Sequence, residues 1–420
     1  MGRKFIGFDI NPISIELAKL YNNIPYYKDI ERSLLQLQKS VMPTILESYK
    51  TVDGGFGSHY LWVNNSISSI WQMKTPRKRI EMKPSEDDLD LIKSFDNYKP
   101  KYLARFKIFD NSRINSKEEM SIFDIFTPRA LRNIDLLIDN IDKQPKEMRS
   151  ALKLSLTSIS GQISNMVFAI TGRGKTKGRP SEKIEVGSWA IGYWRPDTHF
   201  EINVWRTYEK KLNELIKISK EIGRTENKIS EKYSEFENQN GKIYLRIGDS
   251  ETLLKELPEK SIQLIVTDPP HADRIPYLEL SAMWNSIIDC KVDYESELVI
   301  SNARSRGKNH QIFNEKFESI LNQMARVSKS DGYIVIMYNS RIRSHWECLK
   351  DFTNKNKGFC LVGSMPIKYS AGSIVQDNRQ GSLGEDFAII FKNASSEGDI
   401  MIEFLVRQGM SREIPKVAGK

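Results

Sequence analysis

The sequence predicts an α/β protein with a doubly wound parallel sheet that is interrupted by a mainly helical insert. Strand-like and helix-like segments alternate at the start of the chain and again between Lys242 and Asn393. Such alternation is typical of a parallel sheet with helices packed on it. The long region between these two parts has helical periodicity instead.

The first region predicts a strand, a turn and a helix. The strand is expected in RKFIGFDI, where apolar residues run up to Asp9. Asn11 and Pro12 mark a turn, because proline fixes its own backbone and starts helices well. The segment ISIELAKLY that follows has the apolar spacing of an amphipathic helix.

The third region predicts most of the sheet. Strands are expected in KIYLRIGD, SIQLIVTDPP, GYIVIMYN, LVGSMPIKYS and DFAIIFKN, and helices in SETLLKELP and EKFESILNQMARVSK. We therefore assign one domain to residues 1–28 and 241–393 and a helical insert to residues 29–240. Residues 394–420 are predicted to form a weakly specified tail with one short apolar piece, MIEFLV.

Composition limits the classes of protein that need to be considered. The chain has 420 residues, 39% of them hydrophobic, and its 63 basic and 54 acidic residues give a net charge of +9. This balance permits a polyanionic partner without requiring one. No apolar run approaches the roughly 20 residues of a membrane span, so we expect no membrane partner. Three scattered cysteines argue against a disulfide framework or a metal site and favour the cytoplasm.

Three predicted strands end in an aspartate: Asp9, Asp249 and Asp268. In an open α/β sheet, ligands bind beyond the carboxyl ends of the strands. A carboxylate there can accept a hydrogen bond from a ribose hydroxyl or an adenine amino group. The alternative is that each aspartate caps the helix that follows it.

The last of these aspartates opens the motif Asp268-Pro269-Pro270-His271. Alkylating the exocyclic amine of a base requires two hydrogen-bond acceptors that hold the amine protons and direct the nitrogen lone pair. The Asp268 carboxylate and a backbone carbonyl of the motif are suitable acceptors, while the prolines fix the backbone. His271 could stack on a base swung out of a duplex. The alternative is a stiff surface turn.

Several segments resemble the cofactor and catalytic motifs of amino-directed DNA methyltransferases. They are FIGFDINPISIELAK, RIGDSETLLKELPEKSIQLIVTDPPHADRIPYLELS, ARVSKSDGYIVIMYN and LGEDFAIIFKN, and parts of the insert also resemble large members of this group. The resemblance implies a Rossmann-like domain that uses S-adenosylmethionine to methylate adenine N6 or cytosine N4. It places Asp9 at the cofactor ribose, Asn11 in the adjoining turn and Asp249 at the cofactor adenine. His271 stands where the family has Tyr, Phe or Trp.

The sequence departs from this family at its start. The family has a glycine-rich loop after its first strand, where small residues let the backbone approach the cofactor, whereas MGRKFIGFDINP resembles the beginning of the family's second strand. We therefore expect an incomplete domain. Three explanations remain open: a second polypeptide that carries the glycine-rich loop, a misassigned start or disrupted gene, and a degenerate protein. The intact Asp-Pro-Pro motif favours the first two.

Two basic segments are candidates for DNA contacts. GRGKTKGRP contains Arg173, Lys175, Lys177 and Arg179, and is predicted to be a flexible loop suited to phosphates. SNARSRGKNH contributes Arg304, Arg306 and Lys308, and Tyr277 follows the proposed catalytic motif closely. The alternative for both segments is a solvated surface turn.

These observations predict a DNA amino-methyltransferase, or a subunit of a split one, that serves restriction–modification or genome defence. Two other functions remain open. An RNA base methyltransferase could share the Asp-Pro-Pro motif, although no RNA-binding module is visible. A non-catalytic DNA-binding or regulatory subunit is the alternative outside the enzymes.

Overall fold

The structure is a computed structural model that describes residues 3–75, 78–106, 108–172, 175–176, 179–180, 183–189, 192–225, 227–238, 242–270, 275–340, 342–368 and 385–394. The strands in these ranges are β1 (Phe5–Asp9), β2 (His59–Val63), β3 (Ser66–Thr75), β4 (Lys78–Met82), β5 (Val167–Ile170), β6 (Lys175–Thr176), β7 (Arg179–Pro180), β8 (Glu185–Trp189), β9 (Thr198–Ile202), β10 (Ile229–Ser230), β11 (Ile243–Ile247), β12 (Ile262–Thr267), β13 (Ser328–Tyr338), β14 (Phe359–Lys368) and β15 (Glu385–Asn393). The helices are α1 (Pro12–Asn22), α2 (Tyr27–Ser40), α3 (Met42–Glu47), α4 (Glu86–Lys93), α5 (Pro128–Asp142), α6 (Lys146–Ile159), α7 (Val204–Ile222), α8 (Tyr233–Asn238), α9 (Ser250–Lys255), α10 (Tyr277–Leu280), α11 (Ala282–Ile288), α12 (His310–Val327) and α13 (Arg343–Lys355).

The mixed α/β class predicted from the sequence is confirmed. Each strand and helix expected in the first and third regions is present, from β1 and α1 to β14 and β15. The described residues form two compact units. Unit 1 consists of those in 1–7, 11–246 and 278–292, and unit 2 of those in 8–10, 247–277 and 293–394. These units differ from the predicted domains, because α1 and the segment 278–292 belong with the insert.

Unit 2 contains a four-stranded sheet in the order β12-β13-β15-β14. β12 and β13 are parallel, whereas β15 is antiparallel to both of its neighbours. Ile334, Ile336 and Tyr338 are fully buried on one face of this sheet. Aromatic contacts from α12 and α13 reach that face: Phe317 lies 5.5 Å from Tyr338, between ring centroids, and Phe352 lies against β15.

Unit 1 contains most of a small sheet, β1-β11-β10, and a larger antiparallel sheet in the order β4-β3-β2-β9-β5-β8. Helices supply most of the regular structure of residues 29–240, as predicted, but the larger sheet was not predicted. Its first hairpin joins β2 to β3 through Asn64 and Asn65, both with positive φ. Two such residues form the tight turn that matches strand twist.

Helices α5, α6 and α7 form the core of unit 1. α5 begins at Thr127, whose side chain accepts a hydrogen bond from the Ala130 N–H, and Pro128 occupies its first position. Trp205 and Tyr208 on α7 are buried in the same core. These two aromatic residues therefore serve packing.

Candidate active site

Asp9 and Asp249 lie at the ends of two adjacent strands. The Phe5 N–H donates to the Lys242 carbonyl at one end, and the Gly248 N–H donates to the Asp9 carbonyl at the other, over 3.0 Å. β1 and β11 therefore run in the same direction and end side by side. Both aspartates belong to unit 2, so the structure brings together the two residues predicted to hold a cofactor.

Asp249 and Asp9 differ in their relation to the helix that follows each of them. Asp249 is the N-cap of α9: one carboxylate oxygen accepts from the backbone N–H and hydroxyl of Thr252, and the other lies 2.8 Å from the Lys316 ammonium. The capping role that we kept as an alternative therefore applies to Asp249. It does not apply to Asp9, because the N-cap of α1 is Asn11 and Asp9 is half-buried ahead of it.

Asn11 belongs to a buried polar cluster in unit 1. Its amide donates to the Ser281 hydroxyl at 3.0 Å and accepts from the Asn285 amide at 3.1 Å. Because its side chain is only 9% exposed and already bonded, Asn11 holds the segment after β1 in place. In this arrangement a contact between its side chain and a cofactor is not favoured.

Glu279 is a buried carboxylate that the sequence analysis missed. The Asn111 amide donates to its carboxylate at 2.6 Å, and the Tyr193 hydroxyl donates to its backbone carbonyl at 2.6 Å. Glu279 and Asn111 are 2% and 1% exposed. A charged residue in the otherwise uncharged stretch PYLELSAMW was the available signal. These bonds connect α10, shortly after the proposed catalytic motif, to the insert.

The proposed catalytic motif begins where β12 ends. β12 is parallel to β13 and in register with it up to Thr267 opposite Ile336. Asp268 follows and is exposed, Pro269 is buried and Pro270 is half-buried. His271 lies outside the described residues. The structure thus places an exposed carboxylate at the carboxyl end of a parallel strand, where α/β proteins bind ligands.

A second polar cluster, also missed, follows the neighbouring strand β13. The Ser340 hydroxyl lies 2.9 Å from His345 Nδ1, and His345 Nε2 lies 3.3 Å from Nδ1 of His310. His345 is fully buried, and Ser340 is 5% exposed. Because β12 and β13 are parallel, their carboxyl ends lie at the same edge of the sheet. The signal in the sequence was the polar run Asn339-Ser340 directly after an apolar strand.

The three basic residues predicted in SNARSRGKNH differ in how far their side chains are exposed. Arg304 is exposed. Arg306 is buried in an ion pair with Glu297, at 2.7 Å with both side chains 2% exposed, so its guanidinium is not available to a phosphate as placed. Lys308 donates to the Glu295 carbonyl. Burial lowers the pKa of Lys308, and the neighbouring charges of Arg306 and Lys316 lower it further.

Tyr277, the remaining residue proposed to contact DNA near the motif, is 39% exposed.

Within GRGKTKGRP, where we expected a flexible loop, the described residues form two short paired strands. Lys175 pairs with Pro180, and Thr176 with Arg179, in antiparallel strands β6 and β7. Arg173 and Lys177 lie outside the described residues.

Two further kinds of feature are absent from the described ranges. No helix there is long and apolar enough to cross a membrane. No group of three or more His, Cys, Asp or Glu side chains in the same ranges is arranged to hold a metal ion.

Comparison with known proteins gives only distant similarity. No family model matches the chain, and no curated protein does. Among solved structures, the chain resembles TTHA0409 of Thermus thermophilus, which is described as a "Putative DNA Modification Methylase". One structure of it shares 17% identity and a TM-score of 0.22, covering 40% of this chain and 60% of that one. Another structure of it, complexed with S-adenosyl-L-methionine, shares 14% identity with a TM-score of 0.22. That match covers 40% of this chain and 61% of the other.

The chain thus spans about three fifths of the length of the solved structures that it matches. At these TM-scores the similarity carries no argument about function.

Proposed function

We propose that this protein is an S-adenosylmethionine-dependent methyltransferase that modifies an exocyclic amino group of adenine or cytosine in DNA, within restriction–modification or genome defence. The observation that supports it most is the exposed Asp268, followed by two prolines, at the carboxyl end of parallel strand β12. The paired strand ends at Asp9 and Asp249 in the same unit add carboxylates of the kind that hold a nucleoside.

Asp9 and Asp249 suit S-adenosylmethionine to different degrees. Asp9 is half-buried and lies at a strand end ahead of Asn11, the N-cap of α1, so its carboxylate suits a ribose hydroxyl. Thr252 and Lys316 orient the Asp249 carboxylate. Its remaining lone pairs would accept a hydrogen bond from the adenine amino group of the cofactor. The cofactor supplies the electrophilic methyl group when it is bound.

The chain's own task is to prepare the amine. An exocyclic amine is a poor nucleophile because its lone pair is delocalised into the ring. In our proposal the Asp268 carboxylate and the Pro269 carbonyl accept hydrogen bonds from its two N–H groups and direct the lone pair at the methyl group. Pro269 and Pro270 limit backbone motion at this point. In the same proposal His271 stacks on the flipped base. The residues that contact the DNA are Arg304, Tyr277 and the basic residues of GRGKTKGRP, which are Arg173, Lys175, Lys177 and Arg179.

The proposal includes a second polypeptide. In our proposal a separate chain supplies a glycine-rich turn and completes the cofactor site.

Transfer of labelled methyl groups from S-adenosylmethionine to unmethylated DNA tests this function. The chain is assayed alone and with the polypeptide encoded immediately upstream of Met1. We expect activity in the mixture, and a loss of at least about 100-fold in Asp268→Ala, the scale of removing one preorganised transition-state contact. Asp90→Ala, at an exposed position on α4, is the control and should keep full activity.

Two results would refute the proposal. Full activity in Asp268→Ala would remove Asp268 from catalysis. Absence of transfer in both preparations, with DNA binding retained, would favour a non-catalytic DNA-binding subunit.

A further inference from the structure

β12 is the outermost strand of the four-stranded sheet in unit 2. Among the described residues it pairs with β13 on one side and with no strand on the other. Leu264 and Val266 on this strand are 53% and 58% exposed. An apolar edge strand of this kind offers unpaired backbone groups to another chain, and soluble proteins normally protect such an edge with charge, proline or a covering element.

The residues of β12 are those of a central strand. Ile262, Leu264, Ile265 and Val266 form a nearly continuous apolar run. Runs of this type are typical of parallel strands buried on both faces and flanked on both sides. β12 therefore has the sequence of an interior strand in the position of an edge strand.

One face of the same sheet is also incompletely covered. Leu264 lies opposite Tyr333, and Val266 opposite Val335, so all four side chains share the face that α12 and α13 do not contact through their aromatic residues. Tyr333, Val335 and Met337 are only half-buried there, whereas the alternate residues of β13 are fully buried. Parallel sheets normally have both faces covered.

The unpaired edge of β12 and the exposed apolar face of the sheet together limit which kind of partner can bind there. A single added strand would satisfy the backbone groups of β12 but would leave the apolar face open. A specific complex buries roughly 800 Å² on each partner, which is more than one short strand provides. A strand followed by a helix satisfies both, because the crossover helix packs back over the sheet.

We infer that the free edge of β12 and the open face around Leu264, Val266 and Val335 bind a strand and its following helix from a second polypeptide. The strand adds to the sheet in parallel beside β12, and the helix covers the open face. This inference deepens the proposed function, on which the identity of the partner depends, by naming where the second polypeptide docks.

The test measures association, with the polypeptide encoded immediately upstream of Met1 as the probe and the full chain as its target. We expect a complex whose affinity falls by at least about tenfold in the double variant Leu264→Lys/Val266→Lys. Both positions are exposed, so the variant should remain folded. Ile312→Lys is the matched control, since Ile312 is 41% exposed on α12, which covers the opposite face.

Hydrogen exchange gives an independent measurement. We expect the amides of β12 to exchange faster than those of β13 in the chain alone and to become protected in the complex. Absence of a complex, or unchanged affinity in the double variant, would overturn the inference. Slow exchange of β12 in the chain alone would also overturn it, because the chain itself would then cover the edge.

This test can fail separately from the proposed function. Asp268→Ala should stop methyl transfer and leave the complex intact. A complex that depends on Leu264 and Val266 but transfers no methyl group would support the docking surface and count against the enzyme.

Discussion

Arg129 and Glu201 form an ion pair in the core of unit 1, with 2.8 Å between Nε and the carboxylate and with each side chain 1% exposed. The guanidinium lies over the ring of Tyr60, 3.9 Å from its centroid, and donates to the Ser48 carbonyl. The Trp62 indole N–H donates to the other carboxylate oxygen at 3.2 Å. This pair connects helix α5 to strand β9 across the six-stranded sheet of unit 1.

Removing one partner of this pair should destabilise the protein strongly. Glu201→Gln leaves the guanidinium charged and buried without its counter-ion, which typically costs about 3–5 kcal/mol in the free energy of unfolding. Urea denaturation measures the difference. Glu47→Gln, in the exposed pair with Lys50, is the control and should change stability by less than about 1 kcal/mol. Equal effects of the two substitutions would contradict a special role for the buried pair.

His59 should make the stability of unit 1 depend on pH. Burial, with Arg79 and Arg206 nearby, lowers its pKa from 6.5 to about 4. Between these values the unfolded chain binds a proton that the folded chain excludes, so stability is lost as pH falls from 6.5 towards 4. The full loss is on the order of 3 kcal/mol.

The His59→Gln variant isolates this effect. Carboxylates that titrate in the same range are common to both proteins, so the difference between their stability–pH curves reports His59. We expect the variant to lose less stability than the wild type in urea denaturation between pH 6.5 and 4. Parallel curves would show that His59 is protonated equally in the folded and unfolded states.

Asp9 and Asp249 should respond differently to substitution. Asp249→Ala removes the N-cap of α9, which typically costs about 1 kcal/mol, whereas Asp249→Ser keeps a capping hydroxyl and should restore most of it. Asp9→Asn leaves Asn11, the N-cap of α1, in place, and should weaken the binding of S-adenosylmethionine to the assembled complex. Calorimetry and thermal denaturation separate these effects. Loss of stability in Asp9→Asn without loss of cofactor affinity would assign Asp9 a structural role.

The alternating strands and helices at the start of the chain and after Lys242 could be predicted from the sequence, whereas the sheet within the insert could not. β1, α1, α9 and β11 to β13 follow from strong periodicity bounded by turn residues, which is local information. The six-stranded sheet of unit 1 depends on pairings between distant segments, such as Leu61 with Phe200. Single-sequence periodicity contains no signal for such pairings, and the short strands lie between longer helices.

The same distinction applies to the candidate site. Asp9, Asp249 and Asp268 were predictable because each follows an apolar strand directly. The roles of Asn11 and Glu279 were not, because their partners Ser281 and Asn111 are more than 150 residues away along the chain. Both residues are buried and bonded to these distant partners.

Arg304 and Arg306 are two residues apart in one short 3-10 turn, yet substitutions there should have opposite consequences. Arg304 is exposed, so Arg304→Ala should leave stability unchanged, weaken DNA binding similarly for all sequences and lower the slope of log affinity against log salt by about 1. Arg306 is paired with Glu297 in the interior, so Arg306→Ala should lower the free energy of unfolding by about 3–5 kcal/mol. Fluorescence anisotropy across a salt series and urea denaturation of the same preparations measure both quantities. If Arg304→Ala leaves the salt slope unchanged, this turn does not contact the DNA backbone. If Arg306→Ala weakens DNA binding at full stability, its guanidinium leaves Glu297 to meet a phosphate.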